Sequence, residues 1–298
     1  MQNNGQFPSP ASLPERSGDD QSNTQRIIGT MSDYGYCAFF TWGEAEMGSA
    51  VTVCAQKIYT REEAKKNKEK NLLIGDAYQC IDEQAFRNNI KIRRLVLDSN
   101  VTEIRNNAFF NCTSMKSIEM PGVKVVGQGA FEGCVNLGKA EFSDPVQKLG
   151  KAAFAGCKRL REVKINPDSK VKIIYPDTFR ECQNLEVIQL PEGTASIQTR
   201  AFYRCGFKNL ELPEGLKSIG DSAFLKCRRL EYIRIPSSVK RIEKWVFHGC
   251  DRMKILELTH DPEYIGDWIV NRSVMVRCKK GSKVDQYCQQ FGFQAEYI

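Results

Sequence analysis

The chain has 298 residues, of which 41% are hydrophobic and 27% are charged, and its formal net charge is +7 at pH 7. No run approaches 18 apolar residues, so the sequence contains no candidate helical membrane span. Two histidines and the lack of a Cys-x-x-Cys pair argue against a zinc site. Opposite charges are interspersed, as at Arg161 and Glu162, which disfavours the one-sided basic stripe of a nucleic-acid binder.

The first 30 residues are rich in Gln, Asn, Ser, Pro and Asp and lack apolar periodicity, so we expect residues 1–30 to be a disordered leader. The start of the chain has neither the basic segment nor the apolar core of a secretory signal. On that basis we expect a cytoplasmic protein. A cell-surface or secreted location is the alternative.

Residues 31–77 form a predicted N-terminal capping region. Two strands are predicted, at Tyr36–Trp42 and Val51–Ala55, followed by a capping box in which Thr60 and Glu63 satisfy each other's backbone amides. The capping box opens a charged segment of strong helix formers, Ala64 to Lys70. We expect this region to cover the open apolar edge of the first repeat, because solenoids need such caps.

Residues 78–273 repeat one pattern of 22 to 25 residues, which can be written V-x-x-I-x-x-x-A-F-x-x-C-x-x-L-x-x-I-x-I-P. Its clearest copy is Ile219–Pro236, and a ninth, degenerate copy has Ile269–Val270 where Ala-Phe should be. Such a period indicates a solenoid, in which each unit packs only on its neighbours. The phenylalanine of the pattern recurs at Phe86, Phe109, Phe131, Phe154, Phe179, Phe202, Phe224 and Phe247.

Two periodicities are joined within each unit. The alternation that ends in Ile233 and Ile235 predicts a short strand with one buried face. The spacing by four of Ile219, Ala223 and Cys227 predicts a turn of helix. The expected product is a curved parallel sheet on one side and short helical turns on the convex side.

The array resembles the BspA-like subclass of leucine-rich repeats, whose units read G-x-x-A-F-x-x-C-x-x-L-x-x-I-x-I-P. The resemblance covers about residues 78–298 and implies an α/β leucine-rich-repeat solenoid capped at both ends. Two units depart from the pattern, with Asn89 in place of Cys, and with Thr178 in place of Ala beside a two-residue insertion. Partners of such solenoids usually dock on the exposed strand face, and many BspA-like proteins are bacterial surface binders.

Residues 274–298 resemble the carboxy-terminal cap of the same family. Val274–Cys278 reads as a last strand, and Ser282 with Asp285 caps a short helix that Gly292 ends. The final residues, Ala295–Ile298, are expected to return as an edge strand.

Seven of the twelve cysteines occupy the same repeat position and should form an interior column. Stacked side chains that point the same way have poor disulfide geometry, and free cysteine packs as a small hydrophobe. We therefore expect reduced, structural thiols at Cys112, Cys134, Cys157, Cys182, Cys205, Cys227 and Cys250.

The sequence offers no catalytic, cofactor-binding or metal-binding residues. His248 occupies a repeat position that tolerates many residue types, and His260 follows a strand as a loop residue. The sequence shows no phosphate-binding loop and no nucleophile elbow. We therefore expect no enzyme and no cofactor.

The remaining class is a binding protein. Two columns of residues should lie on the exposed strand face, and most are polar and of mixed charge. The exceptions are Val187, Tyr232 and Ile255, with Gln189 and Arg234 beside them. Tyr and Arg are enriched at interface hot spots, although isolated surface apolar residues are also common. The hypothesis is a non-catalytic protein–protein interaction scaffold; a surface adhesin and a nucleic-acid binder are the alternatives.

Overall fold

The computed structural model describes the backbone of Tyr36–Cys37 and all of residues 56–298. In chain order its elements are β1 (Tyr36–Cys37), β2 (Gln56–Tyr59), α1 (Arg61–Lys66), β3 (Asn71–Ile74), β4 (Cys80–Ile81), β5 (Arg94–Leu97), β6 (Glu103–Ile104), β7 (Ser117–Glu119), β8 (Val125–Val126), β9 (Lys139–Glu141), β10 (Lys148–Leu149), β11 (Glu162–Lys164), β12 (Ile173–Ile174), β13 (Val187–Ile188), β14 (Ser196–Ile197), β15 (Ser218–Ile219), β16 (Tyr232–Arg234), β17 (Arg241–Ile242), β18 (Ile255–Glu257), β19 (Tyr264–Ile265), β20 (Met275–Cys278), α2 (Lys283–Phe291) and β21 (Gln294–Tyr297).

The strands stack in two columns, which confirms the solenoid. The first column is a six-stranded parallel sheet, β3-β5-β7-β9-β11-β13, followed by a four-stranded one, β16-β18-β20-β21. The second column holds β2-β4-β6-β8-β10, extended by the antiparallel β1, and then β12-β14-β15-β17-β19. Pairing in this column is interrupted between β10 and β12, and the two-residue insertion lies between these two strands. We call the outward side of the first column the strand face.

The third side of each coil is built from hydrogen-bonded turns rather than from the helical turns that the spacing predicts. In the Phe224 unit, Ser222 and Lys226 have φ of 57° and 61°, which an α-helix cannot contain. The backbone amides alternate instead. That of Ala223 donates within the turn, to the Gly220 carbonyl at 3.2 Å, and that of Phe224 donates to the Val246 carbonyl of the next coil at 2.9 Å. The turn side is therefore hydrogen-bonded from coil to coil as the two strand columns are.

The core is a column of stacked phenylalanine rings. Phe109 and Phe131 lie 5.3 Å apart between ring centroids with planes 1° apart, and the other consecutive pairs from Phe86 to Phe247 lie 5.1 to 5.6 Å apart. Stacked aromatic pairs at this separation stabilise beyond their area burial. The core is continuous along the array because each ring contacts the ring before and after it.

The seven expected cysteines lie in one buried column beside the rings. Each thiol donates a hydrogen bond to the carbonyl of the phenylalanine one coil earlier, as from Cys227 Sγ to Phe202 O at 3.1 Å. Burial raises the pKa of Cys157 and of Cys227 well above the ordinary thiol value. Cys157 and Cys227 are therefore protonated, and the whole column is structural.

Both expected capping helices are present. The Thr60 hydroxyl accepts the Glu63 amide at 3.3 Å and the Glu63 carboxylate accepts the Thr60 amide at 2.7 Å, which confirms the capping box, although α1 ends at Lys66 rather than at Lys70. Ser282 caps α2, whose C-cap Gly292 is left-handed with φ of 69°, and β21 then pairs with β20 as expected of the edge strand. The sequence shows no repeat before residue 78, yet β2 and β3 join the two strand columns there and extend the stack by one coil.

Of the predicted strand Tyr36–Trp42, the structure describes only β1. The predicted strand Val51–Ala55 and the leader at residues 1–30 lie outside the described residues.

Candidate functional site

The strand face carries two ladders of outward side chains, because alternate residues of each strand point out of the sheet. The pairing registers align the members on the named strands, an isolated bridge to Tyr232 places Asn209, and spacing alone places Gln189 and Glu211. The first ladder runs Asn71, Arg94, Ser117, Lys139, Glu162, Val187, Asn209, Tyr232, Ile255, Met275 and Gln294. The second runs Leu73, Val96, Glu119, Glu141, Lys164, Gln189, Glu211, Arg234, Glu257, Arg277 and Glu296.

The five residues singled out from the sequence fall into two groups. Val187, which is 57% exposed, and the exposed Gln189 belong to the coil of β13, the last strand of the six-stranded sheet. Tyr232 and Arg234 lie on β16, and Ile255 on β18 is the register partner of Tyr232. The structure brings the last three together and places the first two beyond a break in the sheet.

The break has a cause in the sequence. The segment Cys205-Gly206-Phe207 is one residue shorter than its equivalent Cys227–Leu230. Phe207 takes the buried place of the leucine, and its ring lies edge-on to Phe202 at 5.5 Å. Pairing on this side stops at β13 and resumes with a single bridge between Asn209 and Tyr232.

The later half of the strand face holds a strip of three side chains, which we call the apolar strip: Tyr232, Ile255 and Met275. They are direct register neighbours on β16, β18 and β20. Tyr232 is 37% exposed, and the other two are half-buried. Adjacent apolar side chains on an outward face are unlike the isolated apolar residues of an ordinary surface.

A row of alternating charge lies beside the strip; we call it the charge ladder, and it consists of Glu214, Arg234, Glu257, Arg277 and Glu296. Arg234 reaches Glu214 at 2.8 Å and Glu257 at 3.8 Å. Arg277 reaches Glu257 at 3.3 Å and Glu296 at 3.0 Å. The Tyr232 hydroxyl donates to Glu257 at 3.0 Å, and burial together with this hydrogen bond raises the pKa of Tyr232. The ladder thus fixes the orientation of Tyr232.

The sequence reasoning missed Met275, Arg277 and Glu214. The first two were assigned to the carboxy-terminal cap, although Met275-Val276-Arg277-Cys278 has the same in-and-out alternation as Ile255–Leu258. That alternation was the available signal. The contact of Glu214 with Arg234 has no signal in the sequence, because it depends on how one coil sits on the next.

The early half of the strand face differs. Its charges pair with each other, as do Arg94 with Glu119 at 2.7 Å and Lys139 with Glu141 at 2.7 Å. Besides Val187 on its last strand, its exposed apolar residue is Leu73, 68% exposed and in register with the half-buried Val96. The sequence reasoning missed Leu73, because β3 lies before the recognisable repeats.

The two histidines occupy positions without catalytic partners. His248 is exposed, and His260 Nε2 lies 2.7 Å from the Val239 carbonyl, which ties down a loop. Within residues 56–298, no group of three or more His, Cys, Asp or Glu side chains is placed to hold a metal ion. None of the helices that the structure describes is long and apolar enough to cross a membrane.

Comparison with known proteins agrees with the architecture. The family model described as the BspA type leucine rich repeat region matches residues 79–175 and 172–289, in six copies. No curated protein matches the chain.

Several solved structures are similar to the chain. That of a leucine rich cell surface protein from Faecalibacterium prausnitzii has a TM-score of 0.58 and 21% identity, over 82% of this chain and 75% of that one. A leucine rich repeat protein from T. pallidum gives 0.47 at 22% identity, over 78% and 87% of the two chains. One from Bacteroides ovatus gives 0.38 at 21% identity, over 72% of each chain. The first of these supports the fold.

Proposed function

Because the chain belongs to the BspA-type leucine-rich repeat family, we propose that it is a non-catalytic scaffold that binds a partner protein on its strand face. The site is the apolar strip with its flanking charge ladder, on β16, β18 and β20. The observation that carries the proposal is the register of Tyr232, Ile255 and Met275, which forms one continuous apolar row between charged neighbours.

The composition of this surface suits a protein interface. Interface cores are enriched in Tyr, Met and Arg and are surrounded by polar rims. Tyr232 is held by Glu257 before binding, so it loses little conformational freedom on binding. The partner would bring an apolar side chain onto the strip and polar groups onto the ladder.

Arg234 is the residue of the ladder best placed to contact a partner. Its ion pair with Glu214 joins two exposed side chains, and exposed pairs contribute only about 0–1 kcal/mol. A partner carboxylate can therefore replace Glu214 at small cost. Val187 and Gln189 would extend the contact beyond the break, along the same ladders.

The test is a comparison of two matched double variants. Tyr232→Ala with Arg234→Ala removes an exposed ring and an ion-paired arginine from the late half. Leu73→Ala with Arg94→Ala removes an exposed apolar residue and an ion-paired arginine from the early half. Tagged wild type and both variants are cross-linked in extracts of the native host, and captured proteins are quantified by mass spectrometry.

We expect the late-half variant to lose the proteins that wild type enriches and the early-half variant to keep them. Equal capture by the late-half variant and wild type would reject the site. Thermal unfolding of all three proteins controls for folding, since the substituted side chains are on the surface.

A second candidate is a cell-surface or secreted adhesin that uses the same face. It is favoured by the similar Faecalibacterium prausnitzii protein, which is described as a cell surface protein. The comparisons give no support to the cytoplasmic location that we expected from the sequence. Brief protease treatment of intact host cells separates the two, because only an exported protein is cleaved while a cytoplasmic marker stays intact.

Nucleic acid as the partner has less in its favour. On the strand face each arginine from Arg94 to Arg277 faces a carboxylate within ion-pair distance. A basic surface that is neutralised in this way releases few counterions on binding. Retention on immobilised DNA or RNA that falls steeply with salt would revive this alternative.

A further inference from the structure

The shortened segment Cys205-Gly206-Phe207 leaves a pocket at the edge of the strand face. The coils before and after it each place two residues between Cys and Leu at this corner, and this coil has room for only one. The space left over is a cavity of about 380 Å³. It is lined by Gln183, Gly206 and four cationic side chains, namely Arg204, Lys226, Arg228 and Arg229.

The lining contains no acidic residue. The nearest carboxylates lie outside it and bind three of the cations from the rim: Glu181 with Arg204 at 3.5 Å, Asp251 with Arg228 at 3.4 Å, and Glu186 with Arg229 at 2.6 Å. Lys226 has no ion-pair partner anywhere in the described part of the chain. These rim pairs are solvent-exposed or nearly so, and a ligand with stronger charge can displace them.

The shortened corner also changes the backbone. The amides of Phe207 and Lys208 donate to no backbone carbonyl within residues 56–298, whereas their equivalents in the next coil, Leu230 and Glu231, donate to the Cys227 and Lys208 carbonyls at 3.1 and 3.0 Å. A side chain at Gly206 would collide with the Gln183 carbonyl, so the floor of the pocket is bare backbone. The pocket therefore exists because this coil has one residue fewer at the corner than its neighbours.

Cys205 also lines the pocket, but it offers no nucleophile. Burial raises the pKa of its thiol well above the ordinary value, and the thiol donates to the Phe179 carbonyl at 3.2 Å like the rest of its column. The chemistry available in the pocket is the recognition of negative charge.

We propose that this pocket binds a phosphate monoester. Three guanidinium groups and an ammonium around one cavity offer more charged donors than the two oxygens of a carboxylate can accept. A phosphate monoester carries close to two negative charges and three terminal oxygens, and arginine recognises such groups through paired hydrogen bonds. The proposal is independent of the protein-binding site, because the apolar strip and the pocket share no residue.

Isothermal titration calorimetry follows the titration of the 298-residue chain with inorganic phosphate and with O-phosphoserine, and serine is the comparison that lacks the phosphate. We expect saturable one-to-one binding of O-phosphoserine. Binding of inorganic phosphate as well would show that the phosphate group is sufficient, and binding of the ester alone would show that the carrier contributes. If neither compound binds saturably, the proposal is overturned.

Two variants test the two components of the site separately. Lys226→Gln with Arg228→Gln removes charge and should weaken binding roughly ten-fold or more. Insertion of one Asn between Gly206 and Phe207 restores the normal spacing, as Gln183–Asn184 has it in the preceding coil, and should abolish binding although all four cations remain. The matched control, Lys240→Gln with Arg241→Gln, removes one Lys and one Arg elsewhere on the surface and should bind as wild type does.

The result is decisive in either direction. Unchanged binding in the charge variant would overturn the proposal. So would undiminished binding in the insertion variant, since the cavity would then not be the site. The charge variant alters only surface side chains, so it remains informative if the insertion prevents folding, which circular dichroism will report.

Discussion

The two halves of the strand face have the same coil structure and differ in their outward side chains. In the six-stranded half, outward charges such as Arg94 and Glu119 pair with each other, and its exposed apolar residues, Leu73 and Val187, lie at opposite ends of the sheet. In the four-stranded half, Tyr232, Ile255 and Met275 form one row beside alternating charges. The buried columns from Phe86 to Phe247 and from Cys112 to Cys250 run through both halves. Function can therefore differ along the solenoid while folding does not.

The strongest test of the shared core is alkaline pH. Burial raises the folded-state thiol pKa, to about 12 for Cys80 and in the same direction for Cys157 and Cys227. The unfolded thiols ionise near pH 9 while the folded thiols stay protonated, so their stabilising contribution is complete below about pH 8.5 and is lost as pH rises above it. Each such thiol costs up to about 1.4 kcal/mol of unfolding free energy per pH unit above 9.

Urea unfolding between pH 8 and pH 10 measures this slope. The double variant carries Cys157→Ala in the six-stranded half and Cys227→Ala in the four-stranded half. Its unfolding free energy should fall less steeply with pH, by about the contribution of two thiols. An unfolding free energy that does not change across this range would contradict the protonated thiol column.

The next largest effect concerns the stacked rings. Phe109→Ala in the early half and Phe224→Ala in the late half should each lower the unfolding free energy by about 3–5 kcal/mol, because both rings are fully buried between two others. Chemical denaturation checks both variants. A cost below about 1 kcal/mol at either position would show that the halves do not share one core.

How far the sequence determines this architecture can be judged from particular residues. The Phe and Cys columns and the exposed position of Tyr232 follow from spacing, because stacked coils place equivalent residues at equivalent positions. The capping box at Thr60 and the N-cap at Ser282 follow from local sequence. The turns follow less directly, because Ile219, Ala223 and Cys227 have helical spacing. The left-handed conformation of Lys226 is marked only in sibling coils, where Gly133, Gly156 and Gly249 occupy the same position.

The proposed site can be identified from the sequence only in part. Tyr232, Arg234 and Ile255 are exceptions to the repeat and could be identified from the sequence. The break in the sheet corresponds to one missing residue at Cys205–Phe207. The spacing of the phenylalanines does not reveal it, because the unit still has an ordinary length. Contacts between coils, such as that of Arg234 with Glu214, depend on the stacking geometry and have no counterpart in a single sequence.

The smallest expected effect sharpens the comparison of charges. Double-mutant cycles on Arg234 with Glu214 and on Arg94 with Glu119 should each give coupling energies of about 0–1 kcal/mol, since all four side chains are exposed. Unfolding free energies of the single and double Ala variants supply the values. A coupling above about 2 kcal/mol at Arg234 would mean that the charge ladder is a stability element rather than an adaptable rim.

A photo-reactive phenylalanine analogue placed at Tyr232 or at Leu73 tests whether the late half of the strand face binds the partner. Irradiation in host extracts followed by mass spectrometry identifies what each position touches. We expect a discrete cross-linked protein from position 232, and we expect position 73 not to cross-link to that protein. The same adducts from both positions, or a discrete adduct from position 73 alone, would contradict this expectation.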